Sequence, residues 1–276
     1  MRYIKLCFNY LFKSGWYVWL LWLLPSIFVG FCCMPFGIIK FINIYPSITI
    51  SHFGDMFWAL MPVTWLNVLF AVLGIVLVSI ALSMAIGQME SHMRSGKLSF
   101  KEIFSYVNNN ILVTLVNVAI MFIINVVMTF LLGAILFLFH ILFSGLSNTP
   151  SVINVIFAVI LCAAHLVLFM FVMAIFSINI PNMISNGYSF KEGISSSVSL
   201  VGGSAFKLAL SFLLPFAVII PFVSFLAKTN VFWIANIVCS VLVLSYYTVL
   251  LMTTYFEISN TNRYDNRKYY NYNWKK

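Results

Sequence analysis

Six carboxylates and four histidines are the groups in this chain best suited to moving protons or holding a metal. The carboxylates are Asp55, Glu90, Glu102, Glu192, Glu257 and Asp265, and the histidines are His52, His92, His140 and His165. Acid–base catalysis and ion coupling both need such groups to converge away from bulk water. No carboxylate lies at the centre of an apolar run. His140 and His165 do lie inside apolar runs and could face each other. Neither has a carboxylate or thiol at a ligand spacing, so both read as hydrogen-bonding groups between helices. Asn117 and Asn125 are eight residues apart and share a face of one run. They read as interhelical contacts or as the lining of a polar cavity. His52 and Asp55 read as part of a solvated loop. There is no H-E-x-x-H, G-x-S-x-G, P-loop or G-x-G-x-x-G motif. The cysteines (Cys7, Cys32, Cys33, Cys162, Cys239) include no C-x-x-C and read as small buried apolar residues. No catalytic residue, cofactor or metal is expected.

The elements that carry these residues follow from composition. Of 276 residues, 63% are hydrophobic and 8% charged, against ~45–50% and ~25% in soluble domains. Such a chain cannot cover itself with polar surface, so its solvent is lipid. The apolar runs are continuous rather than alternating, which selects helices over a barrel. Six runs are long enough for a span of ~20 residues: 16–38, 62–88, 111–145, 152–180, 208–227 and 231–256. The third exceeds one perpendicular crossing and either tilts strongly or breaks at Gly133. Arg2, Lys5 and Lys13 before the first run imitate a signal peptide, but the run is too long and lacks a small-x-small site. It reads as an uncleaved first span.

The cations divide unevenly across six spans. Three lie in the N-terminal segment, three after span two (Arg94, Lys97, Lys101), two around the start of span five (Lys191, Lys207) and five in the tail. Only Lys40 and Lys228 fall on the other face. Positive charge marks the cytoplasmic side, so both termini are expected inside, in a bacterial cytoplasmic (inner) membrane.

A ten-residue phrase occurs twice, 90 positions apart. Met-Arg-Ser-Gly-Lys-Leu-Ser-Phe-Lys-Glu begins at Met93, and Met-Ile-Ser-Asn-Gly-Tyr-Ser-Phe-Lys-Glu begins at Met183. Each ends in a capping box, Ser99 with Glu102 and Ser189 with Glu192. Apolar stripes follow, Phe100, Ile103, Phe104 and Val107 in one copy and Phe190, Ile194, Val198 and Val201 in the other. These predict short amphipathic helices in the headgroup plane, ending at Asn108-Asn109-Asn110 and at Gly202-Gly203-Ser204. The N-terminus reads as a third, worn copy: Ile4, Phe8 and Leu11 match Ile194, Val198 and Val201. The expectation is an all-α polytopic protein, residues 1–258, in three parallel units at about 1–93, 94–183 and 184–258. A basic aromatic tail, 259–276, follows.

Ser-Phe-Lys-Glu, a serine-rich turn, Gly202-Gly203, an apolar helix with Pro215, and then Tyr255-Phe256-Glu257 resemble the polytopic membrane domain of some bacterial glycerophosphodiester phosphodiesterases and related inner-membrane proteins. The likeness covers mainly residues 85–260. It implies a membrane fold rather than hydrolysis, since the tail is too short for the catalytic domain of that family. The functional expectation is a non-enzymatic inner-membrane protein that binds lipid or a partner in envelope homeostasis. Lys97, Ser99, Lys101, Glu102, Ser189, Lys191 and Glu192 would form a cytoplasmic docking face for anionic headgroups. The alternative is a transporter, or a permease subunit served by a separate ATPase. Nucleic acid is not an expected partner; the tail suits the anionic leaflet.

Overall fold

A computed structural model describes residues 2–32, 34–61, 64–98, 100–144, 150–227, 229 and 231–264. Ser99, Lys228 and the tail from 265 onward lie outside the described residues. The helices are α1 (Arg2–Lys13), α2 (Trp16–Cys32), α3 (Met34–Ile44), α4 (Phe53–Leu60), α5 (Trp65–Ser95), α6 (Ile103–Ser144), α7 (Val152–Asn186), α8 (Phe190–Val201), α9 (Ala205–Leu226) and α10 (Phe232–Ile258). Single 3-10 turns lie at Tyr45–Ser47 and Phe100–Glu102, and no strand occurs among the described residues. Helices α5, α6, α7, α9 and α10 are each long and apolar enough to cross a membrane. A sixth span is reached only when α2 is counted with α1, and the two meet at 93°. The chain is an all-α, multi-pass integral membrane protein.

Six helices close a ring. α2 packs on α5, α5 on α6, α6 on α7, α7 on α9, α9 on α10, and α10 returns to α2. Lipid provides no hydrophobic drive between helices, so close approach depends on small residues and on hydrogen bonds. A methyl group at Gly30 of α2 would come within 2.8 Å of Ile237 Cγ1 on α10. One at Gly87 of α5 would come within 2.7 Å of Tyr106 Cβ on α6. Ser79, Ser83 and Gly87 form a stripe along α5 that receives Thr114 of α6. The Thr114 hydroxyl lies 2.6 Å from Ser83 Oγ and 3.0 Å from the Ser79 carbonyl.

Two sequence expectations about boundaries change. The run 16–38 divides between α2 and α3. α3 and α4, with the turn between them, form a cap in which Ile38, Phe41, Tyr45, Ile50, Met56 and Leu60 pack on Leu132, Leu136, Ala158 and Cys162. Within this cap Asp55 Oδ2 accepts from the Ser51 and His52 amides at 2.8 and 2.9 Å. The supposed solvated loop is therefore the start of α4, and those two amides hold the Asp55 carboxyl below its ordinary range.

The first phrase also folds differently from the second. Its amphipathic stretch is simply the opening of α6, which passes through Asn108-Asn109-Asn110 and Gly133 without a break. After the second phrase, α8 is a separate helix, and Gly202-Gly203-Ser204 turns the chain into α9. Asparagine is only a mediocre helix former, whereas each glycine costs a helix about 1 kcal/mol. Two glycines in a row break the helix; three asparagines do not. Both phrases do carry a helix stop. Gly96 (φ 72°) and Gly187 (φ 68°) end α5 and α7 in the left-handed conformation.

The seat of α8 gives a direct test. A methyl group at Gly193 would strike the Asn179 side-chain oxygen and come within 2.6 Å of Met183 Cγ, whereas Gly203 has nothing within 4 Å. Gly193→Ala should lower unfolding stability in detergent by about 1–3 kcal/mol, the usual cost of overpacking. Gly203→Ala should cost nothing. Chemical denaturation of the two variants checks this.

Candidate functional site

Between the helices of the ring lies a partly open cavity of about 260 Å³. Every member of the ring contributes to its wall. Trp22, Phe28 and Val29 come from α2, Phe70 to Leu82 from α5, Val118 to Asn125 from α6, Phe169 to Ile180 from α7, Phe212 and Phe216 from α9, and Ser240 to Leu251 from α10. The wall is almost wholly apolar, with sulfur from Met121, Met170 and Met173 adding polarizable, adaptable surface. Most polar groups in the wall are bonded within the protein. Trp22 Nε1 donates to Thr248 Oγ1 at 3.0 Å, and Thr248 donates to the Leu244 carbonyl at 2.8 Å. Tyr247 donates to the Phe212 carbonyl at 2.7 Å. Ser177 donates to the Met173 carbonyl.

One end of the ring is held by a polar network. Asn179, Asn182 and Asn186 lie at i, i+3 and i+7 on α7 and so share a face. Asn179 donates to Asn117 Oδ1 on α6 at 2.8 Å. Asn182 donates to Ser197 Oγ at 3.1 Å and to the Gly193 carbonyl at 3.3 Å, both on α8. Asn186 donates to Asn182 Oδ1 at 2.8 Å and to Tyr255 OH on α10 at 3.1 Å. The side of α8 turned inward is thus Gly193, Ser197 and Val201, while Val198 of the expected greasy stripe is half exposed.

The same end carries both ends of the described chain. Arg2 pairs with Glu257, and the Tyr264 amide donates to the Met93 carbonyl at 2.8 Å. α1 buries Cys7, Tyr10 and Leu11. The Tyr10 hydroxyl lies 3.0 Å from Tyr17 OH and 2.9 Å from His92 Nδ1, and the Arg263 guanidinium sits over the Tyr10 ring.

The residues expected to matter have different fates. Lys97, Lys101, Glu102, Ser189, Lys191 and Glu192 are all exposed at this end. Glu192 Oε2 accepts from the Ser189 amide at 3.0 Å and from its hydroxyl at 2.6 Å, which is the glutamate half of the capping box. Glu102 accepts from Tyr106 at 2.9 Å instead. Asn117 joins the asparagine network, and Asn125 lines the cavity. His140 and His165 are not brought together. His140 Nδ1 sits 3.5 Å from Asn154 Nδ2 near the capped end, and His165 stacks on Phe169. The asparagine ladder on α7 and the Tyr10–Tyr17–His92 cluster escaped sequence reasoning. The ladder had a signal, three asparagines at helical spacing closing an apolar run; the tyrosine cluster spans α1, α2 and α5 and had none.

Set against family models, curated proteins and solved structures, the chain matches none.

Two outcomes are expected at this end of the ring. Asn182→Leu removes a partner of the Ser197 hydroxyl and of the Asn186 amide. Interhelical hydrogen bonds in membranes are worth about 0.6–2 kcal/mol, so amide exchange across 190–201 should rise roughly three- to thirtyfold while α10 is unaffected. Acid acts on the same helix. The Ser189 hydroxyl, then its amide, hold the Glu192 carboxyl below the ordinary range. The cap is fully formed above that range and is lost as pH falls through the lowered value. Exchange of the Ser189 amide, corrected for its intrinsic rate, should therefore accelerate as pH falls through that lowered value, and Glu192→Gln should remove that acid step.

Proposed function

We propose that this protein is a non-enzymatic lipid-binding protein of the bacterial cytoplasmic membrane, acting in envelope homeostasis with both termini in the cytoplasm. The observation that carries this reading is the cavity. It is apolar, lined by six helices, and lies among spans where the available ligands are hydrocarbon chains. Binding sites for small ligands are typically concave and mostly apolar with a few polar groups, and this wall has that character.

Two further observations support the reading. The five carboxylates among the described residues are occupied structurally rather than poised for chemistry. Asp55 starts α4, Glu192 starts α8, Glu102 holds Tyr106, and Glu90 and Glu257 pair with Arg94 and Arg2. Lys97, Lys101 and Lys191 are exposed at the end where the chain begins and its described part finishes. On a cytoplasmic face each such cation adds about 1 kcal/mol of attraction to anionic lipid. The three units proposed from the repeated phrase fit as three helix pairs, α2 with α5, α6 with α7, and α9 with α10, arranged in chain order around the cavity.

Native mass spectrometry of the detergent-extracted full chain tests the proposal. The wild type should retain lipid. Gly74→Leu together with Ala71→Phe, which adds bulk to the cavity wall, should retain less while remaining folded. Lys97→Gln, Lys101→Gln and Lys191→Gln together should lose anionic lipid selectively. Equal retention in the cavity variant would end the proposal. A lipid-free wild type that carries an ATPase would favour the permease-subunit reading instead.

A further inference from the structure

Two polar side chains in the cavity wall differ from the rest. The Ser240 hydroxyl of α10 is buried, with the residue 1% exposed, and it has no hydrogen-bond partner in the protein. A serine inside a helix ordinarily donates to the carbonyl four residues back, as Ser79, Ser83 and Ser211 do here. Ser240 does not. The Asn125 side chain of α6 also lines the cavity and makes no hydrogen bond among the described residues. Asn117, one face-length earlier, is fully engaged with Asn179, the Val113 carbonyl and Met183.

Both groups lie well away from the ends of their helices. Ser240 is eight residues, roughly 12 Å, from the start of α10 and roughly 27 Å from its other end. Asn125 is eight residues, roughly 12 Å, past Asn117, which is level with the α7 ladder. Both therefore sit well inside the hydrocarbon, where an unanswered hydroxyl or amide is costly. Among the described residues, no lysine, arginine, histidine, aspartate or glutamate lines the cavity. A charged headgroup would find no counter-ion there, and a bare alkyl chain would leave both polar groups unanswered.

We infer that the cavity selects an uncharged lipid, a hydrocarbon chain bearing a hydroxyl or carbonyl group that hydrogen-bonds with Ser240 and Asn125. This rests on the lipid-binding reading above and narrows it to a ligand class. The serine hydroxyl and the asparagine amide both donate, and each also has an oxygen that accepts, so a ligand hydroxyl or carbonyl can answer both.

The test uses delipidated, detergent-solubilised full-length protein and three radiolabelled probes of equal chain length: hexadecanol, hexadecane, and hexadecanoate at a pH where it is ionised. The wild type should bind hexadecanol about tenfold more tightly than hexadecane, the scale of one or two net hydrogen bonds, and hexadecanoate more weakly than hexadecanol. Ser240→Ala with Asn125→Leu should bring hexadecanol down to the affinity of hexadecane and leave hexadecane binding unchanged. Because these substitutions remove unpartnered groups, the empty double variant should unfold no more easily than wild type. A merely structural role for either residue would give the opposite stability result. If hexadecanol and hexadecane bind the wild type equally, or hexadecanoate binds as tightly as hexadecanol, the inference is overturned while the lipid-binding reading stands. If no probe binds the wild type, both fall.

Discussion

Within hydrocarbon, every amide and hydroxyl must be answered by the protein itself. That requirement organises most of the contacts between the helices. It explains why Thr114 bonds both to the Ser79 carbonyl and to the Ser83 hydroxyl rather than standing free. It explains why the asparagines of α7 form a ladder, and why Trp22 reaches across to Thr248 on α10. Apart from the Asn186–Asn182 rung within α7, each of these bonds joins two helices that lipid alone would leave indifferent to one another. Glycines act beside them, since at Gly30, Gly87 and Gly193 the absence of a side chain is what lets a neighbour come close enough to bond or pack.

The two ends of the ring are built by different means. The end holding α1, α8 and residues 259–264 is polar, cross-linked by the α7 ladder, the Arg2–Glu257 pair and the Tyr10–Tyr17–His92 contact. The opposite end is greasy and held by packing, with α3 and α4 folded over α6 and α7 around Phe41, Tyr45 and Met56. Between them lies a stretch where neither device fills the space, and the cavity occupies it. Ser26, Asn236, Ser245 and Thr254 also keep an unpartnered buried oxygen, but Ser240 and Asn125 are the unanswered groups that line the cavity. Local exceptions of this kind are expected where a protein meets a ligand.

Much of the fold was legible because membrane helices announce themselves by length and apolarity. Spans two, four, five and six correspond to α5, α7, α9 and α10, although α5 and α7 run seven and six residues past the ends of their apolar runs. Boundaries that depend on competing local costs were harder to read. Asn108-Asn109-Asn110 look like a break, yet they remain helical because Tyr106 and Thr114 pack on α5 on either side of them. The region after Cys32 looks like a tail of the first span, yet it folds into a cap because Ile38 and Phe41 find partners on α6 and α7. The candidate site was only half legible. Asn117 and Asn125 stand out as polar residues in one apolar run, but nothing local says that one is paired and the other open to a cavity.

The sequence by itself determined that lipid is the solvent, that helices are the elements, and where most of them lie. These follow from transfer energies and backbone preferences, which act over one turn or one run of residues. The tertiary structure alone decided which polar groups find partners, that His140 and His165 stay apart, and that six helices leave a cavity with Ser240 and Asn125 in its wall. Those outcomes depend on how helices distant in the chain rotate and approach, and the steric and hydrogen-bonding terms that set this act only once the helices are in contact.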